Sequence, residues 1–319
     1  MSKPKFSGFE VREGVELGPY TTFGIGGPAE YFVEAGSSQE LLSVVSQAKA
    51  IALKTVVLSG GSNVVISDKG VSGLVVKILS PKREELAVRG FVKQRGLSLD
   101  CDGSVLLLDL VNFCVDGGLA GVESLAGIPG TLAGALVGNA GAYGHSISEV
   151  VKRVQIYDGE KSRWMSKKDC AFSYRDSSLK NSGFCILRAE LALQNPSTDI
   201  GKIRDDIIAT RNKKYPKGLK CPGSFFKNIV AKSLKKEVLE KIDPAKIIEG
   251  KVPAGYLLQE AGGQGQFVGG VAVSDFHCNV LLNNGGATFD DVVSLSQKLK
   301  ALVKEKFGID LDEEVRYIA

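Results

Sequence analysis

Residues 124–144 read Ser124-Leu-Ala-Gly-Ile-Pro-Gly-Thr-Leu-Ala-Gly-Ala-Leu-Val-Gly-Asn-Ala-Gly-Ala-Tyr-Gly144, a run of 21 residues without a charge. A membrane-spanning helix needs about 20 mainly apolar residues. Six residues of this run are glycine, and Pro129 and Asn139 interrupt the rest. The run therefore reads as turns and small-residue packing, and no membrane contact is expected. Core packing calls for few glycines beside Asn139 and Tyr143, whereas a long pyrophosphate-linked cofactor lying against bare backbone calls for many. A close-packed cluster of turns is the plainer alternative.

Upstream, Lys54-Thr-Val-Val-Leu58 reads as a buried strand that ends in Ser59-Gly-Gly-Ser-Asn63. Small residues at such a point let backbone N–H groups converge on an anion, although an ordinary tight turn has the same composition. No GxGxxG opens a helix here and no GxxxxGK[ST] is present, so neither a Rossmann nor a Walker phosphate loop is indicated. Around these runs, a capping box at Ser37 and Glu40 predicts a helix, and Val64–Ile66 and residues 73–78 predict strands. Asp102 is expected to cap a helix over 104–116, and strands are expected near 151–157 and 185–193. A composition shift at 194–198 reads as a linker, followed by a charged helix over 199–214. Pro253 at a first helical position opens a helix over 254–261, Thr288 caps a long final helix ending at Gly308, and 314–318 forms a terminal strand.

The whole chain, 319 residues with 44% hydrophobic and 24% charged side chains, is of globular composition and long enough for two domains. Its net charge of +4 is small and dispersed, which gives no reason to expect a nucleic-acid partner and suits an anionic small molecule equally well. Six cysteines without a CxxC pair and two distant histidines argue against a metal site, and no signal-peptide core is seen. Reduced cysteines in a cytoplasmic protein are expected.

The motifs become specific when taken in order. Thr21-Thr-Phe-Gly-Ile-Gly-Gly-Pro-Ala29, Ser59-Gly-Gly-Ser-Asn63, Gly127-Ile-Pro-Gly-Thr131 and Asn139-Ala-Gly-Ala-Tyr-Gly144 are followed by three more. These are Tyr174-Arg-Asp-Ser177, Gly223-Ser-Phe-Phe-Lys-Asn228 and the ending Glu314-Val-Arg-Tyr-Ile318. From about residue 17 to the C-terminus the chain resembles the UDP-N-acetylenolpyruvoylglucosamine reductase family, flavoenzymes of bacterial peptidoglycan synthesis. The resemblance implies an α+β, two-domain flavoprotein. Residues 1–195 would form an FAD-binding domain of the vanillyl-alcohol-oxidase (PCMH) type, with its core at about 21–193, and residues 196–319 a C-terminal substrate-binding domain. It further implies non-covalent FAD, NADPH as hydride-donating co-substrate, and reduction of UDP-N-acetylglucosamine-enolpyruvate to UDP-N-acetylmuramate; a monomer is expected.

By the same resemblance, Arg175 holds the substrate carboxylate and the developing enolate, Ser224 delivers the proton, and Glu314, acting in its protonated form, assists the enolate. Cofactor contacts are expected from Ser59, Gly60, Gly61, Ser62, Asn63, Gly127, Gly130, Asn139, Gly141, Ala142 and Tyr143. Substrate contacts are expected from Tyr174, Lys227, Asn228, Tyr256 and His277. The chain departs from the family pattern at Gly24, where a basic residue is usual, and at Leu99-Asp-Cys-Asp-Gly103, which places acids in a flavin-domain turn. The short link over 178–185 leaves no room for the Tyr-bearing loop of one subfamily, which marks the shorter, loop-less type. Two rivals remain at this point: an oxidase of the same fold using O₂, which often tethers its flavin covalently, and a non-catalytic nucleotide-sugar or flavin-binding protein.

Overall fold

The computed structural model describes residues 3–216 and 218–319. The helix expected after Ser37 forms over Ser38–Ala50 and buries Leu41, Val44, Val45 and Ala48. The Ser37 hydroxyl accepts the Glu40 N–H at 3.2 Å, while the Glu40 carboxylate reaches one residue further out, to the Gly36 N–H at 2.7 Å. In helix Phe289–Phe307, the capping box is reciprocal between Thr288 and Asp291, and Gly308 ends it in the left-handed conformation at φ 76°.

The chain divides into two compact units. The first comprises the residues up to Val15, Ala29–Gly60 and Ser72–Lys213; the second comprises Glu16–Pro28, Gly61–Val71 and Lys214–Ala319. The first is built largely on two sheets. One has the strand order Arg12–Glu16, Pro28–Ala35, Val71–Ile78, Thr55–Leu58, with the last two parallel. The other is antiparallel, in the order Ser162–Ser166, Val151–Tyr157, Cys185–Ala192, Ser98–Asp102, Val92–Arg95. Helix Leu107–Asp116 packs Leu107, Leu110, Val111 and Cys114 into the same core as Leu99, Val154, Ile156 and Leu191.

Two expectations are corrected in this unit. The helix begins at Leu107, not at residue 104, and Asp102 does not cap it. Asp102 ends its strand facing inward, 2% exposed, where a carboxylate has to collect donors. It accepts from the backbone and hydroxyl of both Ser38 (3.2 and 2.6 Å) and Ser104 (2.9 and 2.8 Å), and from Arg188 at 3.3 Å. Arg188 also bonds Asp100 at 2.8 Å, so both acids of the atypical 99–103 segment share a local cationic partner.

The second correction concerns the linker. Helix Ile200–Lys214 buries Ile200 and packs Ile207 and Ile208 against the first unit's core. Arg204 donates to Asn112 at 3.4 Å and Arg211 to the Gly127 carbonyl at 2.8 Å. The compact units therefore part after Lys213 rather than near residue 196, because the apolar face of the following helix outweighs the linker-like composition before it.

The second unit combines an antiparallel sheet (Phe267–Val268, Val271–Ser274, His277–Asn283) with helices Ala254–Glu260 and Phe289–Phe307. Pro253 stands at the N-cap of the shorter helix, one place before the expected first turn. The terminal strand is Arg316–Ile318, parallel to Val64–Ile66 with Arg316 opposite Val64, so Glu314 precedes the strand instead of lying in it.

Candidate active site

In the first unit, two separate small-residue runs meet. The Ser59 and Thr131 hydroxyls bond at 2.5 Å, and a Cβ built on Gly60 would sit 2.7 Å from the Gly130 Cα. Gly130 has φ +105°, open to glycine, and Gly127 (φ +72°) lies against Arg211. Thr131 caps the short helix Leu132–Val137, and the Lys77 ammonium donates to the Ser59 carbonyl. Burial pulls the Lys77 pKa down, partly offset by Glu34. Beside this contact lies bare backbone. A Cβ on exposed Gly134 would find only the Ser59 and Thr131 oxygens, at 4.0 Å, and one on Gly138 only the Gly134 carbonyl, at 3.9 Å. A helix gives up about 1 kcal/mol by keeping glycine where alanine fits. A cradle that side chains are free to fill, with hydroxyls and a lysine at its edge, fits the diphosphate of a dinucleotide cofactor lying against backbone.

Next to it stand three non-glycine residues in the left-handed region, Asn139 (φ 43°), Tyr143 (φ 52°) and Arg175 (φ 54°). Such residues cost on the order of 1–3 kcal/mol each and persist where their surroundings over-determine them. Here the surroundings are the two motifs themselves. The Asn139 side chain donates to the Ser173 carbonyl at 2.7 Å and accepts from the Ser148 N–H at 3.3 Å. The Arg175 guanidinium donates to the Gly141 carbonyl at 2.6 Å and lies 5.4 Å from the Tyr174 ring centre. Ser177 donates to the Val137 carbonyl at 2.7 Å. Gly141 and Ala142 pair with His145 and Ser146 in a small hairpin so close that a Cβ on Gly141 would lie 2.3 Å from the His145 carbonyl. Gly141 is thus required by its own hairpin. Tyr143 leaves its side chain 49% exposed beside it.

The second unit holds the remaining expected residues. Gly61 (φ +64°) packs against the Tyr20 carbonyl, half-buried Ser62 follows it, and the Asn63 amide donates to the Glu314 carbonyl at 3.1 Å. The Glu314 N–H donates to the Phe225 carbonyl at 2.8 Å, which brings Glu314 next to Ser224 in the backbone frame. Ser224 bridges to Val280, and the Asn279 side chain clamps Phe226 through its N–H and C=O, both at 2.8 Å. The hydroxyl of Tyr215, a residue the motifs did not single out, lies 3.1 Å from the Ser224 Oγ. Lys227 is held through its N–H to the Asp312 carbonyl at 2.9 Å, and the Asn228 side-chain Oδ1 accepts the Ala254 N–H at 3.1 Å at a helix start. Tyr256 packs beside the core, its hydroxyl accepting the Asp243 N–H at 3.4 Å. His277 accepts the Asn279 N–H on Nδ1 at 3.0 Å, which fixes the Nε2–H tautomer in its neutral form.

Glu313, next to the expected catalytic glutamate, is anchored away from it. It accepts from Ser296 at 2.7 Å and Tyr317 at 3.3 Å, and pairs with Lys300 at 2.8 Å. Burial raises its pKa, but the hydrogen bonds and charge of Lys300 and Ser296 prevail and hold it low, while burial and Glu313 push Tyr317 upward. Arg175 belongs to the first unit, Ser224 and Glu314 to the second. Among the described residues no cluster of three or more His, Cys, Asp or Glu side chains is arranged to hold a metal, and no helix is long and apolar enough to cross a membrane.

Residues 29–163 match an FAD binding domain, and residues 215–318 match the UDP-N-acetylenolpyruvoylglucosamine reductase C-terminal domain. The UDP-N-acetylenolpyruvoylglucosamine reductase of Solibacter usitatus is 36% identical over 310 residues, 97% of this chain and 96% of the relative. That of Caldanaerobacter subterraneus is 32% identical over 94% of this chain and 90% of the relative. The crystal structure of the reductase from Thermus caldophilus superimposes with a TM-score of 0.73 at 27% identity, covering 98% of this chain and all of that one. The fold is accordingly an α+β flavoprotein, with an FAD-binding domain followed by the reductase C-terminal domain, and the chain belongs to the UDP-N-acetylenolpyruvoylglucosamine reductase family.

Proposed function

We propose that Arg175, Ser224 and Glu314 carry out the reduction of the enolpyruvyl group of UDP-N-acetylglucosamine-enolpyruvate to UDP-N-acetylmuramate, for peptidoglycan synthesis. FAD, when bound, supplies to the outer carbon of the C=C the hydride it takes from NADPH. Ser59, Gly60, Gly130 and Thr131, with the bare 134–138 face, hold its diphosphate. Charge then gathers at the carbon beside the substrate carboxylate, and a preorganised cation and proton donor are what that centre needs. The planar, permanently charged guanidinium of Arg175 suits a carboxylate, and its strained backbone and bond to Gly141 fix its direction. The Ser224 hydroxyl gives the proton to that carbon, and Glu314 donates a hydrogen bond to the enolate.

The observation that carries this reading is the Glu314 N–H to Phe225 C=O bond of 2.8 Å, which sets an acid beside the serine from opposite ends of the second unit's sequence. Lys227 and Asn228 follow that serine and are placed for the substrate diphosphate. Tyr174 in the first unit, and Tyr256 and His277 in the second, are the further substrate contacts on this reading. With FAD bound, NADPH and the enolpyruvyl substrate would share one site in turn. We place the monomer in the cytoplasm, where six unpaired cysteines are at home. Anaerobic spectroscopy tests the activity: NADPH should bleach the bound flavin and the enolpyruvyl substrate should restore its colour. A flavin bleached by NADPH and restored only by O₂ would refute it.

A further inference from the structure

We infer that Tyr215 is a positioning and proton-relay residue for Ser224, an inference that rests on Ser224 being the proton donor. A serine hydroxyl is a weak acid, and giving its proton to carbon unaided would leave an alkoxide. The Tyr215 hydroxyl stands 3.1 Å from the Ser224 Oγ, within hydrogen-bond reach. A phenol is far more acidic than an alkanol, so its proton can follow as the serine proton departs.

The surrounding backbone makes this contact a defined one. Ser224 is held by its bridge to Val280, and the next residue by the Phe225 N–H to Asn279 C=O bond of 2.9 Å, so the serine Cα is set by the sheet. Gly223, at φ +83°, takes the left-handed turn that leads into the serine. Pro216 follows Tyr215 directly and disfavours helical backbone there, and the helix ends at Lys214. The serine rotamer is then set by the tyrosine rather than by its own main chain.

The proton count closes. One proton passes from Ser224 Oγ to the substrate carbon, one from Tyr215 Oη to Ser224 Oγ, and solvent returns one to the phenolate. The hydride that the same carbon skeleton receives is the one the established activity already provides, and no other reactant is required.

Tyr215→Phe keeps the ring and deletes the hydroxyl, and stopped-flow kinetics on the FAD-loaded enzyme separates the two half-reactions. Flavin reduction by NADPH should stay within about twofold, while reoxidation by the enolpyruvyl substrate falls roughly 10²-fold, the lower scale of general acid catalysis. A solvent-deuterium proton inventory should drop from two protons in flight to one. Adding Tyr215→Phe to Ser224→Ala should cost nothing further, because the relay acts only through the serine.

Reoxidation at the wild-type rate, or equal loss in both half-reactions together with a lowered melting temperature, overturns the relay. If Ser224→Ala itself reoxidises normally, the serine assignment fails first. A slow Ser224→Ala beside a normal Tyr215→Phe removes the relay alone.

Discussion

Gly134 offers a test of the cofactor cradle that Gly60 and Gly141 cannot provide. Replacing Gly60 or Gly141 puts a Cβ 2.7 Å from the Gly130 Cα or 2.3 Å from the His145 carbonyl, so flavin loss there would report a damaged fold as readily as a blocked site. Gly134 is the third residue of helix Leu132–Val137, exposed, with 4.0 Å of clearance to the Ser59 and Thr131 oxygens. Gly134→Ala should therefore stabilise the apoprotein by about 1 kcal/mol, the helix propensity difference. In a unit of this size that is a rise of about 2–4 °C in melting temperature. Gly134→Leu should also fold, but its side chain occupies the space over Ser59 and Thr131 assigned to the FAD diphosphate. At a free FAD concentration one hundred times Kd, the wild type gains about 2.7 kcal/mol from binding. Gly134→Leu should gain almost none, and should show no quenching of flavin fluorescence on titration. The assay is thermal unfolding of apoprotein with and without FAD, alongside that titration. A Gly134→Leu protein that binds FAD as the wild type does would show that the diphosphate lies elsewhere.

Three further outcomes follow from the geometry. Glu314→Gln keeps a neutral hydrogen-bond donor at full length and should retain more of the substrate half-reaction than Glu314→Asp; a better aspartate would mean that the residue acts as an anion or base. Glu313, held below the ordinary glutamate value by Lys300 and Ser296 against its burial, contributes stability that is present above the unfolded pKa of about 4.3 and lost as pH falls through its lower folded value. Denaturation midpoints followed through that acid range should fall less steeply for Glu313→Gln, and an unchanged slope would count against the anchor. Asp102→Ala leaves Arg188 without its most buried partner and four seryl donors unsatisfied, so urea unfolding should show a loss of about 3–5 kcal/mol, and less than about 1 kcal/mol would contradict the network's role.

The sequence by itself determined the local elements and the chemistry of the loops. Ser37, Thr288 and Gly308 mark helix ends because capping is settled within a few residues, and the glycines of 59–61 and 127–144 mark backbone that has to stay bare or turn left-handed. The ordered motifs carried the family, and with it the flavin and the reaction. Tertiary structure decided what each surface meets. The sequence reads a charged helix over 199–214, and only the fit of Ile207 and Ile208 to the core of Leu107 and Leu110 shows which face it buries, and that placed the division of the chain after Lys213. Likewise, nothing local ties Asn139 to Ser173, Asn63 to Glu314 or Tyr215 to Ser224. These contacts form because packed sheets and helices hold distant backbone at fixed separations, and a side chain's partner is then whatever polar group those separations leave within about 3 Å.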